Sequence, residues 1–210
     1  MVYTLVFKVS QSSVQMSNHI PNIKIVLLGD ESVGKTTLLR KWTSKIYDSN
    51  TSPTIGGAAQ LKRDDIDGKQ YSFQIWDTAG AERYRALAPL YARDSYAAMI
   101  VFDMTRKKTY DGLNEWVNFL RAHGDIPFII VGNKTDLTED LEVAVEDGID
   151  YAASIKSQFF DTSAKTGANV DIVFRQLEIT AVKYYMQRGP TEQASMKISA
   201  QEPNQNKQCC

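Results

Sequence analysis

Short apolar runs alternate with helix-spaced patterns through the middle of this 210-residue chain. Runs rich in β-branched and aromatic residues occupy 23–28, 58–66, 70–76, 97–102, 128–131 and 158–160, and read as strands. Helical patterns fall at 35–43, 110–121, 143–156 and 170–186. In the last of these Val170, Val173, Phe174, Leu177 and Val182 keep a spacing of about 3.6 residues, the stripe of a helix lying on a sheet. Asp67-Gly68, between the second and third runs, is a strong hairpin signal and predicts that those two strands pair antiparallel. The other strands are separated by helices and are expected to be parallel. The pattern as a whole predicts an α/β fold without internal repeats.

Composition narrows the function. Twenty-four basic residues against 25 acidic ones leave a formal net charge of -1, which argues against a dedicated nucleic-acid binder. The only cysteines, Cys209 and Cys210, close the chain and cannot staple a core, so a disulfide scaffold is excluded. His19 and His123 lie far apart without Cys partners, which makes a zinc site a poor reading. No apolar run approaches the roughly 20 residues needed to span a bilayer. Residues 1–19 read as a flexible extension, with Met16 as an alternative start. Residues 188–210, rich in Gln, Asn, Ser and Pro, read as a disordered tail. A C-a-a-X signal would need a Cys at position 207, which is Lys207.

The chemistry begins directly after the apolar strand IKIVLLG. Gly29-Asp30-Glu31-Ser32-Val33-Gly34-Lys35-Thr36 matches G-x-x-x-x-G-K-[ST], and helical TTLLRKW follows. In that context the glycines let successive amides point at phosphate oxygens, and the helix N-terminus adds positive potential. Lys35 supplies a point charge to the β- and γ-phosphates, and Thr36 a hydroxyl to Mg²⁺. Asn133-Lys134-Thr135-Asp136 follows the buried run FIIVG. An Asp there can accept from N1–H and the exocyclic amine of guanine, a donor pair adenine lacks. Asp77, in Trp76-Asp77-Thr78-Ala79-Gly80, ends a strand where it can hold a Mg²⁺-bound water, and the Gly80 amide is free to approach the γ-phosphate.

These motifs, in this order and spacing, resemble the Ras superfamily of small GTPases, and the Rab family in particular. The resemblance covers about residues 20–188 and the final Cys pair, carried by GDESVGKT, SPTIGG, WDTAG, NKTD and DTSAK. TIGGAA, ERYRALAPLYAR and DTSAKTGANV look most like its early-endosome branch. The fold implied is a six-stranded sheet, five strands parallel, with helices on both faces and the ligand at the carboxyl ends of the strands. By resemblance Gly29 to Thr37 belong to the GTP site, with Ser32 to Thr37 wrapping the phosphates, and Thr54 coordinates Mg²⁺ through its hydroxyl in the GTP state. Tyr47 packs on the guanine edge, Asn133, Lys134 and Asp136 hold the base, the Ala164 amide reaches the guanine oxygen, and Ser163 and Lys165 support that loop. Cys209 and Cys210 are implied to be geranylgeranylated; two chains satisfy the requirement for stable anchoring without a polybasic patch. The partners implied are an exchange factor, a Rab-type GTPase-activating protein, prenyl-carrier proteins and GTP-state effectors. The expected protein is a monomer on the cytoplasmic face of intracellular membranes, with no nucleic-acid partner.

Three positions depart from the family pattern. Ala81 stands where the family has a Gln that orients the attacking water, so slow hydrolysis is expected. Glu31 stands where small residues are usual, facing either the γ-phosphate or solvent. Ala59 replaces an aromatic of the effector-binding surface that Ile55, Trp76 and Tyr91 otherwise match. Two functions therefore stand side by side: a GTP/GDP switch with slow chemistry, and a nearly hydrolysis-deficient, persistently GTP-bound scaffold. An ATP-using kinase would leave NKTD and the Cys pair without a role.

Overall fold

The computed structural model describes residues 20–47, 54, 57–78 and 88–190, the side chains of Ala88 and Tyr91 excepted. The terminal segments, Ile55, Gly80, Ala81, Cys209 and Cys210 lie outside the described residues. Among the described residues twelve elements follow one another: β1 (Asn22–Leu28), α1 (Lys35–Ser44), β2 (Gly57–Ile66), β3 (Lys69–Thr78), α2 (Ala88–Ala92), β4 (Ala97–Asp103), α3 (Lys107–Asp111), α4 (Leu113–His123), β5 (Phe128–Asn133), α5 (Val145–Ser154), β6 (Gln158–Asp161) and α6 (Val170–Arg188). The strands form one sheet in the order β2-β3-β1-β4-β5-β6. Only the β2–β3 pair is antiparallel; every other pairing is parallel. Asp67 (φ 53°) and Gly68 (φ 77°) both sit at positive φ in the turn joining β2 and β3, as a two-residue hairpin of the I′ kind requires.

The period-two alternation of β1 decides which face each side chain covers. Ile23, Ile25 and Leu27 pack with Leu38, Leu39, Trp42, Phe174 and Leu177 of α1 and α6. Val26 and Leu28 face the other way, against Trp116 and Leu120 of α4. All seven residues of β4 are buried, because helices cover both faces at the centre of the sheet. Each large apolar side chain so enclosed contributes roughly 1.5–3 kcal/mol. Met99 and Met104 are among them.

The single helix expected over 110–121 is two helices broken at Gly112. The Gly112 amide closes α3 on the Lys108 carbonyl, and the Gly112 backbone lies against Asp30, leaving 3.5 Å between an added Cβ and Asp30 Oδ2. Lys107 and Lys108 open α3. Helix α2 is too short for periodicity to signal. A tertiary contact holds its end: Lys24 of β1 donates to the Leu90 and Arg93 carbonyls at 3.3 and 2.7 Å. Asp64 and Asp65 tie the hairpin to α6, where Arg175 donates to the Asp65 carbonyl at 2.7 Å and approaches Asp64 to 3.6 Å.

One buried carboxylate near this tie is poorly matched. Glu178 on α6 is 1% exposed, and its Oε1 has no hydrogen-bond partner among the described residues. Lys62 stands 4.0 Å away, Arg175 3.7 Å, and Asp64 adds like charge. Burial pushes its pKa up to about 7 from 4.5. The folded state therefore binds this proton more tightly than the unfolded state. Its contribution to stability is full below about 4.5 and is lost as pH rises through about 7. Glu178→Gln is expected to flatten that pH dependence relative to wild type and to stabilise the fold at pH 8 by on the order of 1–3 kcal/mol. Denaturant titrations of both proteins from pH 5 to pH 8 measure it; parallel curves would show that Glu178 ionises freely.

Candidate functional site

Parallel strands end on one edge of the sheet, and four of them deliver polar groups there: the loop after β1, Asp77 from β3, Asp103 from β4 and Asn133 from β5. Asp103 and Asn133 are register partners, so their side chains emerge at the same level.

The loop between β1 and α1 is shaped by backbone needs. At Gly29 (φ 134°) an added Cβ would stand 2.1 Å from the Val101 carbonyl oxygen; at Gly34 (φ 98°) it would stand 2.3 Å from Asn133 Nδ2. Both positions need glycine. Gly34 is the N-cap of α1 and supplies no side-chain cap, which leaves the first amides of the helix open to an anion. Lys35 is 4% exposed, and its ammonium donates to the Gly29 and Asp30 carbonyls at 2.6 and 2.7 Å. Burial brings it down to about 8, against the opposing pull of Asp77, Asp30 and Glu31. Val33 is buried, whereas Glu31 and Ser32 are exposed, and the Glu31 charge is felt at Lys35.

Three oxygens converge beside this loop. Thr36 Oγ1 donates to Asp77 Oδ2 at 2.6 Å, and Thr54 Oγ1 lies 2.8 Å from Thr36 Oγ1. With the Thr36 proton given to Asp77, Thr54 is the donor of the second bond. Asp77 Oδ1 is buried without a hydrogen-bond partner among the described residues, and burial raises the Asp77 pKa despite Thr36 and Lys35. Two hydroxyls and an unsatisfied carboxylate oxygen form a hard-oxygen set suited to Mg²⁺ and its water shell.

The far end of the site is built from two loops laced together. Asn133 Nδ2 donates to the Val33 carbonyl at 2.9 Å, and Asn133 Oδ1 accepts from the Ala164 amide at 3.1 Å. One side chain thus joins the phosphate loop, β5 and the loop after β6. The Ala164 amide, assigned by resemblance to the guanine oxygen, is bonded inside the protein in this arrangement. Ser163 Oγ donates to Asp136 Oδ1 at 2.6 Å, and Lys165 Nζ is 3.7 Å from Asp136 Oδ2. Lys134 turns to Asp103, with 2.6 Å between Nζ and Oδ2. Between these loops lies a cavity of about 150 Å³ lined by Gly34, Thr37, Tyr47, Asn133, Lys134, Asp136, Leu137, Ala164 and Lys165.

Sequence reading passed over Asp103, Arg106 and Trp116. Burial alone would raise the Asp103 carboxyl, but hydrogen bonds from Lys134, Thr105 and Arg106 outweigh it and hold the group below the ordinary carboxylate range. The missed signal was a charge at the carboxyl end of a wholly apolar strand, AAMIVFD. Trp116 Nε1 donates to Asp30 Oδ1 at 2.9 Å across the chain from α4, which no local pattern announces. On the outer sheet Ala59 pairs with Trp76, and Lys24 Nζ lies 5.1 Å from the Trp76 ring centre. Tyr91 belongs to α2, but its side chain is outside the described residues.

A strand–glycine loop–helix cradle with a buried Lys, a hard-oxygen cluster and an adjoining carboxylate-floored cavity define a P-loop nucleotide-binding protein. The Ras family model matches residues 24–183. Ras-related protein Rab-22A of Homo sapiens is 39% identical over 197 residues, covering 90% of this chain and 97% of that protein. Ras-related protein Rab-22A of Mus musculus is 44% identical over 157 residues, 74% of this chain and 81% of the relative. Ras-related protein Rab-31 of Mus musculus is 36% identical over 196 residues, 91% and 98% respectively. The chain belongs to the Ras family of small GTPases, in its Rab branch. Among the described residues no helix is long and apolar enough to cross a membrane.

Proposed function

We propose that this chain is a slow GTP/GDP switch in vesicle trafficking on the cytoplasmic face of endosomal membranes, held there by lipid on Cys209 and Cys210. The observation that carries it is the Thr54–Thr36–Asp77 chain of hydroxyl and carboxylate contacts. It fastens the segment before β2 to the phosphate loop through groups suited to a nucleotide-bound metal. A γ-phosphate that adds contacts to Thr54 and Gly80 would order two loops, and its loss would release them. Mg²⁺, when bound, screens the charge of the β- and γ-phosphates.

The chain's own groups divide the remaining work. Lys35 and the amides of Ser32 to Thr37 neutralise phosphate charge, Asp136 accepts from guanine, and Tyr47 covers the base. Exchange factors, Rab-type activating proteins, prenyl carriers and effectors act on the loops and tail, with Ala59 altering the effector set. Likeness to Rab-22A and Rab-31 supports the endosomal assignment. Ala81 offers no hydrogen bond to a water, which supports slow turnover.

Single-turnover hydrolysis of bound GTP tests the reading. Wild type is expected to be slow, and Ala81→Gln faster by about tenfold or more, the size of one transition-state contact. GTP, but not ATP, should compete for the site. Two equally slow proteins, unresponsive to a Rab-type activating protein, would favour the persistently GTP-bound scaffold. A wild-type rate already like that of an ordinary small GTPase would overturn the role given to position 81.

A further inference from the structure

The geometry points to Arg106 as a positioning residue for phosphate binding: anchored on Asp103, it grips the Glu31 carbonyl and thereby aims the Ser32 amide into the phosphate loop. This rests on the proposal that the loop holds guanine-nucleotide phosphates.

Arg106 Nη2 donates to the Glu31 carbonyl oxygen at 2.9 Å, and Nε donates to Asp103 Oδ2 at 2.8 Å. Asp103 is a rigid anchor. It is 0% exposed, and its carboxylate also accepts from the Thr105 amide, the Thr105 hydroxyl and Lys134. The Arg106 backbone is fixed as well: its amide donates to the Asp103 carbonyl at 3.0 Å and its carbonyl accepts from Thr109 Oγ1 at 2.8 Å.

Peptide geometry converts that grip into orientation. In a planar trans peptide C=O and N–H point in opposite directions, and the described residues contain no cis bond. Drawing the Glu31 oxygen outward to Arg106 turns the Ser32 N–H toward the loop's concave side. Ser32 sits at φ 61°, a left-handed conformation that a residue with a side chain adopts only under external constraint. A charge-assisted bond to the preceding carbonyl supplies one. The Trp116 bond to Asp30 braces the neighbouring residue from the same outer side. Lysine could not reproduce this, because two different nitrogens of one planar guanidinium hold the two acceptors.

The test uses the full chain loaded with GDP and Mg²⁺, as wild type, Arg106→Lys and Arg106→Ala. Fluorescent-GDP exchange gives the dissociation rate, and ¹H–¹⁵N spectra follow the Ser32 amide, whose proton a phosphate hydrogen bond draws downfield. Both variants are expected to release GDP roughly tenfold faster, the effect of losing one charge-assisted bond, with the Ser32 proton moved upfield. Preference for guanine over adenine should stay intact, because Asp136 is untouched. Should Arg106→Ala not fold, Arg106→Lys decides alone. Unchanged release and an unchanged Ser32 resonance would overturn the proposal. So would faster release with an unmoved Ser32 resonance, which would reduce Arg106 to a support for α3. A wild-type chain that fails to retain GDP at all would sink the guanine-nucleotide reading, and this proposal with it.

Discussion

Asp136→Asn is expected to lower guanine-nucleotide affinity by about 10²–10⁴ and to make xanthine nucleotides the preferred ligands. Each Asp136 oxygen is partly engaged, Oδ1 by the Ser163 hydroxyl and Oδ2 facing Lys165 at 3.7 Å. A carboxylate has four acceptor sites, so both oxygens can still accept from a base. One charge-assisted bond lost at roughly 1.5–3 kcal/mol, with about 1–3 kcal/mol more for a donor left facing the guanine amine, gives the stated range. The amide of Asn turns one acceptor into a donor. That donor opposes the guanine amine but matches the carbonyl that xanthine carries in its place, while the remaining oxygen still accepts from N1–H. Displacement of a fluorescent guanine nucleotide by GDP, XDP and ADP, with thermal melting as the folding check, measures the change. A folded variant that keeps its guanine preference would remove Asp136 from base recognition.

Gly34→Ala is expected to abolish tight nucleotide binding while leaving the sheet folded. The new methyl would stand 2.3 Å from Asn133 Nδ2 on a backbone at φ 98°. Left-handed backbone costs a residue with a side chain about 1–2 kcal/mol. Displacing Asn133 would also break its bonds to the Val33 carbonyl and the Ala164 amide, each worth about 1–3 kcal/mol when buried groups lose their partners. Together, at about 3–8 kcal/mol, these correspond to a loss of roughly 10²–10⁶ in affinity, because the phosphate loop and the base loop share this one side chain. Calorimetric titration with GDP, beside circular dichroism for the fold, gives the result. Wild-type affinity in the variant would mean that the two loops hold their positions without Asn133.

The ingredients of the fold and site were legible because each has a local cause. Strand periods, the Asp67-Gly68 turn, and a glycine loop between an apolar strand and a helix are properties of neighbouring residues. The order β1-loop-α1 and the antiparallel β2–β3 pair could be read from them, as could the candidate residues that the structure gathers at the carboxyl ends of the strands. Local pattern could not split the helix at Gly112, nor announce α2, whose end is held by Lys24 from β1.

What the sequence by itself supplied was the candidate chemistry: which residues are proposed to meet phosphate, metal and base, and that Ala81 stands where the family pattern has a Gln. Only the tertiary structure decided how these contacts are held. Asn133 laces three segments, Asp103 gathers Lys134 and Arg106 on one buried carboxylate, and Glu178 is enclosed without a matched partner. The reason is that a motif fixes short spacings along the chain. A buried polar group must instead find partners wherever folding brings them, and here they come from the ends of parallel strands far apart in sequence.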